Sequence, residues 1–173
     1  MKPWIAPFLL AAAALAQAPI MDSIVPRYES VRLNLIESAE LMPAKDYGYR
    51  LTPEQRSFGE WIEHNIGMNF NSCAPLSAVP PTAAARYKGA TDKTVLVEGL
   101  KASFDYCEPV FRRMTDAKIL QNVQAGGKTV SPVNVLFGLV VNWNQHYGNM
   151  VGYLRTRGIT PPSTARAQKK GKK

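Results

Sequence analysis

The sequence predicts an all-α fold, a four-helix bundle with two long connections. Three observations carry this. Apolar residues recur at spacings of three and four over four separate stretches. Prolines and capping residues punctuate the ends of those stretches. No stretch sustains the alternation of β-branched residues that a half-buried strand needs. At 173 residues the chain suits one domain with a full core, and no internal repeat is visible.

Residues 1–16 read as a signal peptide. Lys2 gives a positive start, an apolar run too short to span a bilayer covers residues 4–15, and Ala14-Leu15-Ala16 offers a small-x-small cleavage site after Ala16. The mature chain is therefore expected outside the cytoplasm, periplasmic or extracellular, with no transmembrane segment. Residues 17–164 form the bundle.

The first helix is expected over residues 26–41, with Pro26 in its first turn and Tyr28, Val31, Leu35, Ala39 and Met42 on one face. Pro43 ends it. The second begins after Ser57, where Ser57-Phe58-Gly59-Glu60 forms a capping box. Phe58, Ile62, Ile66, Phe70 and Cys73 mark its buried face, on which Asn65 and Asn69 intrude, and Pro75 closes it. Residues 76–90 read as a long loop. The third helix is expected over residues 92–114, with Thr91 or Asp92 as cap and a kink near Asp105 caused by Pro109. Residues 116–130 read as a second loop, containing Gly126-Gly127. The fourth helix opens with Ser131 as cap and Pro132 in its first turn. It ends near Arg157, before Gly158 and Pro161-Pro162.

One of only two histidines lies on the seam of that last helix. Leu136, Leu139, Trp143, His146, Met150 and Tyr153 follow a three-four rhythm, the pattern of a helix packed in a bundle. Imidazole buried in such a row needs a partner. The other histidine, His64, borders the apolar face of the second helix.

Cys73 and Cys107 are the only cysteines, and an exported chain with an even count suggests one disulfide. Each lies about fifteen residues into its helix, so the sulfurs meet only if the second and third helices run parallel; an up-down hairpin would part them by roughly 20 Å. The alternative is two buried, unpaired thiols.

The segment HYGNMVGYLR followed by RGITPPS resembles the last helix and exit loop of the DinB-like (DinB/YfiT) superfamily of four-helix-bundle proteins. LMPAKDYGYRLTPEQRSFGEWIEHNIG, residues 41–67, and LKASFDYCEPVF, residues 100–111, extend the resemblance over nearly the whole chain after the leader. It implies a divalent metal held by one histidine on the second helix and an HxxxH pair on the fourth. The corresponding positions here are His64, Asn142 and His146, so the middle imidazole is replaced by a neutral amide. Zinc, nickel or iron suits such nitrogen ligands, and Glu60, one turn before His64, is a weak candidate for a fourth ligand or a proton shuttle. Glu63 is a lesser candidate for the shuttle.

Two functions follow. The first is a metal-dependent hydrolase or transferase acting on an unknown small molecule, with metal-bound water acidified toward neutrality. The second is a non-catalytic, metal-free bundle that binds a small molecule or a partner, with His64, Asn142 and His146 as a buried polar network. The resemblance also implies a homodimer as one assembly. Tyr47, Tyr49, Trp61, Trp143, Tyr147 and Tyr153 are read as core. The charge pattern points away from nucleic acid. Of the +8 formal charge, Lys2 contributes one and Arg166, Lys169, Lys170, Lys172 and Lys173 five, so residues 17–164 carry only +2. Residues 165–173 read as a solvated, disordered basic tail.

Overall fold

The computed structural model describes residues 18–171. The expected leader and the last two lysines lie outside the described residues. Helix α1 spans Pro19–Leu41 and so begins about two turns before the expected start at Pro26. Its first turn is capped from far away: the Asp116 carboxylate accepts from the backbone N–H groups of Ile20 and Met21, both at 2.9 Å. That long-range cap satisfies two orphan donors, and no local pattern encodes it. Pro26 sits inside the helix, where it removes one intrahelical donor.

Helix α2 spans Phe58–Cys73, with the capping box formed as expected. The Ser57 hydroxyl accepts from Glu60 N at 3.2 Å, and the Glu60 carboxylate accepts from Ser57 N at 2.7 Å. The following connection holds a one-turn helix, α3 (Ala84–Tyr87), which buries Tyr87 against the bundle. Helix α4 spans Lys93–Arg113 without interruption, with Asp92 as its cap and Pro109 inside.

The second expected loop is partly regular. It holds the short helix α5 (Asp116–Ile119) and a hairpin of strands β1 (Val123–Ala125) and β2 (Lys128–Val130), paired from Val123↔Val130 to Ala125↔Lys128. Gly126 and Gly127 turn it at φ 57° and 73°, the left-handed geometry that a two-residue hairpin turn requires. Three-residue strands are too short to display alternation, which is why the pattern hid them.

Helix α6 spans Pro132–Thr156. Ser131 precedes it without a side-chain capping bond, so the serine marks the boundary but does not cap it. At the far end Ile159 N–H bonds to Leu154 O and Gly158 N–H to Arg155 O, a Schellman closure. The expected disordered tail is corrected over most of its length. Pro162–Lys170 form helix α7, which docks on α1 because Arg166 reaches both Glu37 and Asn34. Tyr147 and Ser163 fix its start through a 2.7 Å hydroxyl pair.

The long helices run up, down, down and up. Glu40 pairs with Lys101 while Glu29 pairs with Arg112, so α1 and α4 are antiparallel. Asn69 bonds Ser103 and Cys73 bridges Cys107, four residues further on both helices, so α2 and α4 are parallel. The disulfide expected to accompany that arrangement is formed, with Cα atoms 5.5 Å apart. The centre is aromatic: Tyr28 stacks on Phe111 at 4.2 Å, and Trp143 lies 5.6 Å from Tyr28 and 5.2 Å from Phe104. Every residue of the three-four seam on α6 is buried. No helix among the described residues is long and apolar enough to cross a membrane.

Candidate functional site

Helices α2 and α6 run antiparallel, and three polar contacts set their register. Trp61 Nε1 donates to the Tyr153 hydroxyl at 3.3 Å, Asn65 meets His146, and Trp143 Nε1 donates to Asn69 Oδ1 at 2.6 Å. Asn65 and Asn69 are fully buried, which answers why two amides stand on the apolar face of α2. Asn69 also donates to Ser103 Oγ at 2.9 Å and so ties three helices together.

The Asn65–His146 contact fixes a tautomer. Asn65 Nδ2 donates to the carbonyl of Trp61 at 2.7 Å, which leaves Oδ1 to face His146 Nδ1 at 3.1 Å. An amide oxygen only accepts, so Nδ1 carries the proton. In the neutral ring Nε2 then holds a free lone pair. Burial is the main reason that the His146 pKa falls to about 4, with the neighbouring His64 and Arg56 charges adding to it. The His64 pKa is lowered too, by burial first and by Arg56 second. Both imidazoles are therefore uncharged near neutral pH.

The two rings converge as the sequence suggested. Their centres are 5.0 Å apart and their planes meet at 61°. Trp61 completes the group, 5.1 Å from His146 and 6.1 Å from His64. The Arg56 guanidinium lies over the same indole at 5.1 Å. Sequence reasoning did not single out Arg56, which precedes the cap of α2 and belongs to no periodic pattern. Asn65 carried a legible signal, since a seam asparagine one turn from Trp61 demands a partner.

Other predicted site residues do not join. Asn142 lies on the exposed side of α6, outside the buried network that was expected to include it. Glu60 is spent on the capping box and on Arg50, whose guanidinium meets it at 2.6 Å, and these bonds hold its pKa below the usual carboxylate range. It is therefore corrected from a candidate ligand to a structural residue. Glu63 accepts from Gly89 N–H at 3.2 Å.

The fit to a divalent metal is thus partial. Two imidazoles sharing one zinc at about 2.0–2.1 Å would have ring centres roughly 5 Å apart, which the pair satisfies. An imidazole whose Nδ1 proton is held by an amide oxygen is oriented as ligating histidines are. The third position fails: no cluster of three histidine, cysteine, aspartate or glutamate residues suited to a metal exists among the described residues. Arg56 adds an unfavourable positive charge beside the pair.

Solved structures resemble this chain in fold. A DinB-like protein from Bacillus cereus superposes with a TM-score of 0.62 at 14% identity, covering 82% of this chain and 95% of that one. A DinB-like protein from Bacillus subtilis gives 0.60 at 21% identity, covering 80% and 94%. No family model and no curated protein matches the sequence. At these identities the likeness establishes the fold: the bundle is DinB-like.

Proposed function

We propose that this chain is an exported DinB-like bundle that binds a small molecule at the His64–His146 edge of the α2–α6 seam, without catalysing its conversion. The observation that carries the reading is the Asn65–His146 bond. It presents one uncharged Nε2 acceptor beside a second neutral imidazole, with the nearby carboxylates of Glu60 and Glu63 engaged elsewhere. Such a centre recognises hydrogen-bonding groups but lacks the acid–base partner that hydrolysis needs. Export is supported by the apolar leader and by the disulfide, which persists in oxidising compartments.

A second reading, a metal-dependent hydrolase or transferase, is favoured by the same bond. In it His64 and His146 would hold zinc, nickel or iron, which when bound would supply Lewis-acid activation of water.

Elemental analysis of protein purified without a metal-binding tag separates the two. The binding reading expects no stoichiometric metal, together with small molecules in a fragment library that shift the Cε1–H resonances of both histidines. Stoichiometric metal that is lost in His146→Ala would overturn it in favour of the enzyme. For the second reading, Asn142→His, on the exposed side of α6, should leave zinc affinity unchanged. A raised affinity in a zinc titration would bring position 142 back into the site.

A further inference from the structure

A groove on the described surface shares no residue with the histidine pair. It has a volume of 440 Å³ and lies on the outer side of α4, beside the disulfide. Pro109, Val110 and Met114 form its floor, and Leu76 and Val79 its facing wall. Val79 is exposed over 63% of its surface, a large apolar side chain left in water at the lip of an apolar groove. The wall is held in place twice: Cys73, just before it, is bridged to Cys107 of α4, and Tyr106 donates to the Val79 carbonyl at 2.6 Å. The groove is thus preformed and of the size that small-molecule sites take.

Its lining carries two cations, Arg113 and Lys118, and one carboxylate, Asp105. Arg113 and Lys118 line the opening, and neither has a carboxylate partner among the described residues. The two acids nearby are engaged elsewhere. Asp105 pairs with Arg32 at 3.1 Å, and both oxygens of Asp116 cap α1. A largely apolar trough lined by two unpaired cations, its one carboxylate already paired with Arg32, complements one kind of molecule: a hydrocarbon tail ending in an anionic head.

The geometry points to a second ligand site in this groove, for a free amphipathic carboxylate whose tail lies along Pro109, Val110 and Met114 and whose head meets Arg113 and Lys118. The site is independent of the function proposed for the histidine pair.

Decanoate, below its micellar concentration, is the probe, and decanol is the neutral control. Calorimetry on the mature oxidised protein should show saturable one-to-one binding of decanoate. Decanol should bind at least about tenfold more weakly, because a charge-assisted hydrogen bond is lost. The Met114 methyl resonance should shift on titration while the histidine Cε1–H resonances stay in place. Arg113→Gln with Lys118→Gln should weaken decanoate by about tenfold or more, and both positions are exposed enough for the fold to persist. Val79→Asp, on the opposite wall, should weaken it independently. Equal binding of decanoate and decanol, an unmoved Met114 methyl, or full affinity in both variants overturns the site.

Discussion

His146 shows how one residue can be costly and useful together. It is only 8% exposed, sits in an otherwise apolar seam, and is kept neutral mainly by burial. Its ordinary pKa of 6.5 falls to about 4 in the folded protein. Between those values the unfolded chain binds the proton and the folded one does not, so protonation drives unfolding. This residue's contribution is complete above about pH 6.5 and is lost as the pH falls toward 4, an effect on the order of 3 kcal/mol. His64, shifted in the same direction, adds to the slope. Urea unfolding at pH 7 and pH 4.5, compared with His146→Gln, checks this. The variant should lose much of the pH dependence, and an equal slope in both proteins would show that His146 is accessible and ordinary. The three-four seam made its burial legible in the sequence. Its partner was less so: the metal-free reading joined it to His64 and Asn142, whereas Asn65 holds the ring and position 142 turns to the solvent side of the same helix.

At the scale of elements, α2 and α4 form the tightest pairing, and Gly99 permits it. A methyl group there would meet Tyr87 at 2.7 Å and Ile66 at 2.9 Å, closer than real carbon contacts come. The aromatic ring of α3 is thus pressed onto the α4 backbone. Gly99→Ala gains helix propensity but must displace the Tyr87 ring, so it should destabilise by about 1–3 kcal/mol. A thermal melt tests this, and a stabilised Gly99→Ala would mean that α3 yields freely. Double substitution with Tyr87→Ala should recover part of the loss, since the clash is then removed. Such contacts explain which elements were legible. Amphipathic helices with local caps, such as α2 behind Ser57 and α4 behind Asp92, were read to within a residue. Elements fixed by distant partners were not: α1 starts early because Asp116 caps it, and α7 exists because Arg166 finds Glu37 and Asn34 across the molecule.

Over the whole molecule, one covalent bond and one topological choice depend on each other. Running α2 and α4 parallel requires a long crossover, residues 74–92, with few regular contacts of its own. The bridge closes that crossover at the end of α2 and shortens what the unfolded chain can explore. For a sequence separation of 34, chain entropy predicts about 3–4 kcal/mol of stabilisation. That is a large share of the roughly 5–15 kcal/mol that holds a typical domain together. Urea denaturation of the oxidised protein should therefore show a midpoint well above that of the reduced protein, or of Cys73→Ala with Cys107→Ala. The dependence on urea should steepen on reduction, because the unfolded state then expands further. The groove on α4 gives a second readout, since its wall hangs from Cys73: reduction should weaken decanoate without moving the histidine resonances. A thiol titration that finds both cysteines free in protein recovered from an oxidising compartment would break this link. Asn69–Ser103 and the helix packing would then be left to hold the parallel pair alone.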